Sequence, residues 1–271
     1  MLSITSDYAR SEGCPEPCLR RIAETGFTHV HWCHQWNTDF LYDACEIEQI
    51  AAWLGEYGLA LCDLHGSEGV EKCWHSPREY ERQAGVELVR NRIAMVARLG
   101  SDVVIMHIGS EPIRGEERSR YWEQLWRSLD AIEPFARKHG VRIAIENGIF
   151  PQLRKVLERY PPDYVGLCYD SGHGNVSKDG LDEVEALKDR LISMHLHDND
   201  GTGDQHKLLF TGTVDWPRLA RTVATSAYGK CVSMEVSMKN SGIEDEEPFL
   251  AKAFDGGTAF AAMVAEAKTT P

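Results

Sequence analysis

Six apolar runs in this chain end in an imidazole or a carboxylate. L-C-D-L-H ends at His65, V-V-I-M-H at His107 and I-A-I-E at Glu146. G-L-C-Y-D ends at Asp170 with His173 just beyond it, S-M-H-L-H ends at His197, and the last run holds Glu235. Histidine, aspartate and glutamate together form the donor set for zinc, manganese and related divalent ions. Converging carboxylates repel one another unless a cation sits between them. Taken singly, His65 or His107 reads as a hydrogen-bonded loop residue and Glu146 as a surface ion-pair partner. Recurrence at six run ends is what points to a metal site. His195 shares a face with His197 by strand alternation, but it lies deeper in its run and reads as a satisfied core or supporting histidine. After His197 comes D-N-D-G-T-G-D-Q-H, where Asp204 and His206 occupy a Gly-rich loop able to fold back and add donors.

Such residues converge only if their runs are strands with a common direction. The expected strands are Leu2–Thr5, Thr28–Cys33, Leu59–His65, Asp102–His107, Val141–Glu146, Tyr164–Asp170, Leu191–His197 and Cys231–Val236. Helix-period segments alternate with them: 46–57, 78–99, 122–139, 181–187, 216–225 and 248–265. Gly26, Gly58, Gly100 and Gly140 stand where helices should stop, each accepting the left-handed conformation of a C-terminal cap. Eight strands alternating with helices predict a parallel sheet, and the count favours closure into a (β/α)₈ TIM barrel, one α/β domain over residues 1–271. Strand C-terminal ends then meet on one face, the face where barrels carry their chemistry. A doubly wound open sheet is the alternative, but no G-x-G-x-x-G follows the first strand. Residues 268–271 read as a loose tail.

Composition narrows the partners. The chain has 42 acidic against 29 basic residues, a formal net charge of −13. That balance disfavours attraction to nucleic acid or anionic membrane. Arg114, Arg118 and Arg120 lie close together, but Glu116 and Glu117 dilute them and the stretch reads as a solvated surface loop. No basic start leads into an apolar run, so no signal peptide is expected, and no run is long enough to span a membrane. Eight cysteines without a C-x-x-C pair suit a reduced, cytoplasmic protein. The second strand ends in H-V-H-W-C-H-Q-W-N. There Trp32 and Trp36, with Trp74, are candidates to stack on a sugar or cyclitol ring, and His34 or Gln35 to bind hydroxyls; ordinary packing at the barrel rim is the competing reading.

I-E-N at Glu146, D-S-G-H from Asp170 to His173, H-L-H-D-N-D from His195 and E-V at Glu235 resemble the xylose isomerase-like barrel superfamily over essentially the whole chain. That superfamily includes sugar isomerases, sugar epimerases and endonuclease IV. Resemblance to the epimerase branch implies one divalent ion, manganese- or magnesium-like, on Glu146, Asp170, His197 and Glu235. Resemblance to endonuclease IV implies up to three zinc ions on His65, His107, Glu146, Asp170, His173, His197, Asp204, His206 and Glu235. The ketose 3-epimerases carry a substrate-contacting arginine six residues after the histidine ligand. Gly203 stands at that position here, so the substrate contact must differ. Leu209-Phe210 likewise replaces the Pro-Gly of related isomerase-like chains ahead of Gly212 and Asp215-Trp216.

Two mechanisms suit these residues. In an isomerase or epimerase of a sugar, cyclitol or related polyhydroxy carbonyl compound, Glu146 and Glu235 are the catalytic pair. One removes the proton beside a carbonyl and the other returns it through an enediolate, with a manganese or zinc ion as Lewis acid. In a multinuclear zinc hydrolase, most naturally a phosphoesterase, Glu146 bridges two ions and a bound water attacks. A metal-stabilised binding protein is a third class. The expected partner is a small molecule, with homo-oligomerisation left open.

Overall fold

The computed structural model describes residues 1–66, 68–177 and 179–269. All eight expected strands are present: β1 (Leu2–Thr5), β2 (His29–Trp32), β3 (Ala60–His65), β4 (Val103–Met106), β5 (Arg142–Glu146), β6 (Val165–Asp170), β7 (Leu191–His195) and β8 (Val232–Met234). Between and after them lie α1 (Glu16–Thr25), α2 (Ala44–Tyr57), α3 (Glu79–Arg98), α4 (Gly115–His139) and α5 (Phe150–Arg159). The remainder are α6 (Ser171–Val176), α7 (Gly180–Leu187), α8 (Trp216–Ala224) and α9 (Glu246–Thr269). The strands pair in parallel in the order β7-β6-β5-β4-β3-β2-β1-β8. A parallel bridge between Leu196 and Met234 brings the two outer strands together, giving a single TIM-barrel domain.

The strand sequences explain this architecture. V-V-I-M of β4 is buried throughout, as a strand covered on both faces must be. Val104, Met106, Ile143, Ile145 and Leu167 join the large core shared with the helices. The alternate residues Val103, Ile105, Ala144 and Cys168, with Ile192, form a separate small apolar layer. By strand alternation Ala144 and Cys168 share the face of Glu146 and Asp170, so this layer lies below the donors inside the barrel.

Helix ends are set by local chemistry. Asp43 and Glu46 close a capping box at the start of α2, and Gly26, Gly58 and Gly140 end α1, α2 and α4 in the left-handed conformation. Three strands are shorter than their apolar runs, so His107, His197 and Glu235 sit one or two residues past β4, β7 and β8. Arg114–Arg120 is not a loop: α4 begins at Gly115, and the Arg118 guanidinium turns back to the carbonyls of Pro112 and Ile113. The expected tail is helical through Thr269, while residues 270 and 271 lie outside the described residues. No helix of the described residues is long and apolar enough to cross a membrane.

Candidate metal centre

Glu146 ends β5 with its side chain 1% exposed, and four imidazoles surround it. Its Oε2 lies 3.4 Å from His65 Nε2, 3.4 Å from His107 Nε2 and 3.3 Å from His195 Nδ1. Its Oε1 lies 3.3 Å from His173 Nδ1. Yet Oε2 has no hydrogen-bond partner, because none of these close approaches is aligned as a hydrogen bond.

Asp170 closes β6 and starts α6, its Oδ1 accepting from the His173 N–H at 2.6 Å. That cap turns the chain so that His173 faces back to Glu146. His197 Nε2 stands 3.0 Å from Asp170 Oδ1 and 3.5 Å from Asp204 Oδ1. Asp204 Oδ2 in turn lies 3.1 Å from His206 Nε2 and 3.4 Å from His173 Nε2. The Gly-rich loop therefore does fold back over the strand ends. Asp198 anchors it by exchanging backbone hydrogen bonds with Lys207, and the His206 ring is fixed by its Nδ1 against the Glu235 carbonyl at 2.7 Å. Asp170 Oδ2 and His197 Nε2 are buried without hydrogen-bond partners.

Glu235 faces this group from the end of β8. Its Oε2 is 2.7 Å from His195 Nδ1, and its Oε1 accepts from the Cys33 thiol at 3.5 Å. His195 thus lies between Glu146 and Glu235, fully buried, with neither ring nitrogen hydrogen-bonded. Its ring nitrogens, without hydrogen bonds, set it apart from a satisfied core histidine and suit a supporting place beside the two glutamates. Below it, His31 Nε2 lies 2.9 Å from Cys33 Sγ and its Nδ1 2.7 Å from Asp63 Oδ1, while Ser193 Oγ donates to the other oxygen of Asp63. Alternation in H-V-H-W-C places His31 and Cys33 on one face of β2, a signal that sequence reading passed over.

Charge is balanced here by imidazoles alone. Among the described residues no Lys or Arg makes a salt bridge to Glu146, Asp170, Asp204 or Glu235. Burial pushes the Glu146 carboxyl up, but His107, His195 and His173 prevail and hold it well below the usual range. Asp170 drives His173 up to about 12, and Asp204 and Glu235 raise His206 to about 10 against the opposing effect of burial. Protons or a cation must neutralise these carboxylates.

The candidate substrate residues separate. Trp36 stands at the mouth, its ring 4.7 Å from that of His65 and 6.2 Å from that of His107. Trp32 is 1% exposed and donates from Nε1 to Tyr42 Oη at 3.1 Å, in the layer between sheet and helices. His34 lines a cavity of about 350 Å³ with Gly13, Gln35, Phe40, Tyr42 and Trp53, away from the donors. Trp74 is fully buried.

Residues 19–253 match the family model described as xylose isomerase-like TIM barrel. The chain is 32% identical over 249 residues to the uncharacterized protein y4fM of Sinorhizobium fredii, covering 81% of this chain and 80% of that one. Among solved structures it resembles a D-tagatose 3-epimerase-like protein, with a TM-score of 0.80, 20% identity and 98% of each chain covered. It also resembles an L-ribulose 3-epimerase, with a TM-score of 0.78, 16% identity, and 98% of this chain and 95% of that one covered. The profile match over most of the sequence, on a barrel of this topology, makes the chain a member of the xylose isomerase-like TIM-barrel family.

Proposed function

We propose that this protein is a divalent-metal-dependent isomerase or epimerase of a sugar, cyclitol or related polyhydroxy carbonyl compound. The observation that carries the reading is the pair Glu146 and Glu235, which reach His195 Nδ1 from β5 and β8 at 3.3 and 2.7 Å. Moving a proton on and off one carbon needs two acid–base groups at one centre, and two convergent carboxylates supply them. The fold shared with structures named as sugar 3-epimerases supports the same class.

The donor chemistry fits a resident ion. Glu146 Oε2, Asp170 Oδ2 and His197 Nε2 are buried polar atoms without hydrogen bonds, and desolvated groups of this kind call for a cation. Glu146, Asp170, His197 and Glu235 would hold it. When bound, a manganese- or zinc-class ion supplies Lewis acidity that polarises a carbonyl and its neighbouring hydroxyl. One glutamate then takes the proton from the carbon between those groups, and the other returns a proton to the opposite face of the enediolate. Trp36 offers an apolar wall beside His65 and His107 for a ring or carbon chain. A reducing, cytoplasmic setting suits the free thiol of Cys33 beside Glu235.

A second reading rests on one further observation. His65, His107 and Glu146 form one compact donor group and His197, Asp204 and His206 another, each with its donor atoms within 4.8 Å of one another. These two groups would hold two or three zinc-class ions, which when bound would supply a nucleophilic water for phosphoester hydrolysis.

The test is proton NMR of the manganese- or zinc-loaded protein in deuterated water with a panel of ketoses and keto-cyclitols. Deuterium entering next to the carbonyl is expected, with exchange falling roughly 100- to 10,000-fold in Glu146→Gln and Glu235→Gln. No exchange with any member of the panel, together with hydrolysis of an aryl phosphodiester, would transfer the assignment to the second reading.

A further inference from the structure

The loop between β3 and α3 carries a mixed donor set that the strand-end centre does not use. Glu68 Oε1 lies 3.1 Å from His75 Nε2 and 3.7 Å from Cys73 Sγ. One donor atom from each of the three lies within 4.8 Å of the other two. Zinc–ligand bonds of about 2.0–2.3 Å at tetrahedral angles put donor atoms roughly 3.3–3.8 Å apart, so these separations nearly match a loaded site. His75 Nε2 is buried and unaligned with any hydrogen-bond acceptor, despite its approach to Glu68. Glu146 Oε2 shows the same pattern of close approach without alignment.

The surroundings hold these donors in place. The His75 ring lies against Gly109, where an added Cβ would stand 3.3 Å from Cε1, and edge-on to Tyr121 with ring centres 5.8 Å apart. Trp74, between Cys73 and His75, is fully buried, and its carbonyl accepts from Ser128 Oγ of α4. Glu68 is the open side, with its side chain 37% exposed.

We infer that Glu68, Cys73 and His75 form a separate single-ion site for a zinc-class cation, fastening the β3–α3 loop at the barrel mouth. Thiolate and imidazole donors favour zinc or cobalt(II) over magnesium and manganese, so this site selects differently from the carboxylate-rich strand ends. Three protein donors leave a fourth position for water. Binding displaces the Cys73 thiol proton to solvent and forms a metal–sulfur bond, with no change of oxidation state. The inference stands whichever reaction the strand ends catalyse.

Cobalt(II) added stepwise to metal-stripped full-length protein tests it. The expected result is a near-ultraviolet thiolate-to-cobalt charge-transfer band that disappears in Cys73→Ser and in His75→Gln, with a single ion fewer bound per chain by elemental analysis. Cys33→Ser, which alters the thiol beside Glu235, should keep the band. His75→Gln retains the thiol, so a folding defect in one variant does not decide the outcome. A band and ion count unchanged in both variants would overturn the inference, and so would a band lost only in Cys33→Ser.

Discussion

Asp63 shows how one side chain can be committed before any substrate arrives. Burial alone would push its carboxyl up, but the His31 ring at 2.7 Å prevails, with help from His195 and Lys230, and holds it at about 2. The folded value lies below the ordinary 3.8, so the stabilisation is complete above that pH and is lost as pH falls towards about 2. Asp63→Asn should reduce stability by about 3 kcal/mol at neutral pH, the typical loss when one partner of a buried pair is removed. Denaturant melts from neutral pH down to acid should show the difference from wild type narrowing as the medium acidifies; a constant difference would contradict the account. Combining Asp204→Ala with His206→Ala separates the two functional readings at the same scale. A single-ion isomerase should be weakened several-fold in deuterium exchange, whereas a three-ion hydrolase should lose turnover altogether. His107, Glu146 and Asp170 were legible in the sequence because each is the first imidazole or carboxylate after the apolar run of a buried parallel strand. His65 was legible only as one more such strand end, with Asp63 already interrupting its run. His195 was not, because its place between Glu146 and Glu235 depends on strands β5 and β8, which lie far from it in sequence.

Among the elements, α6 matters most to the donors although it is only six residues long. Its cap is Asp170 itself, and Gly172 passes so close to His197 that a Cβ would overlap the imidazole. Gly172→Ala should therefore displace His197 and weaken metal binding about 10- to 100-fold, the usual effect of disturbing a group that orients a ligand. Competition against a fluorescent chelator measures this, and an unchanged affinity would refute the argument. Strands and long helices could be read from their periodicity, but α6 could not: S-G-H-G-N-V is too short and too glycine-rich to show a helical stripe. The positions of Trp32 and His34 were illegible for a related reason. Tyr42, in the β2–α2 connection, takes the Trp32 indole N–H and accepts no instruction from strand alternation.

For the whole molecule, metal loading and folding should be linked. Ions that bind the assembled strand ends and not the unfolded chain raise stability by about 2.7 kcal/mol at a free concentration of one hundred times Kd. Thermal melts with excess zinc or manganese should shift upwards and fall back with chelator; coincident melts would speak against a resident ion. Burial lowers the His197 imidazole, but Asp170 prevails and holds it above its ordinary value; it must give up that proton to ligate an ion, so affinity should increase with pH. The barrel closes on itself where the Leu196 N–H donates to Ser233 O at 2.9 Å and the Glu235 N–H to Leu196 O at 3.0 Å. His197 and Glu235 flank this seam just past the ends of β7 and β8, so an ion held by both would act as a rivet across it. Opening of the seam would pull both ligands away from each other at once, and hydrogen exchange at the Leu196 and Glu235 amides should slow on loading more than elsewhere in the barrel.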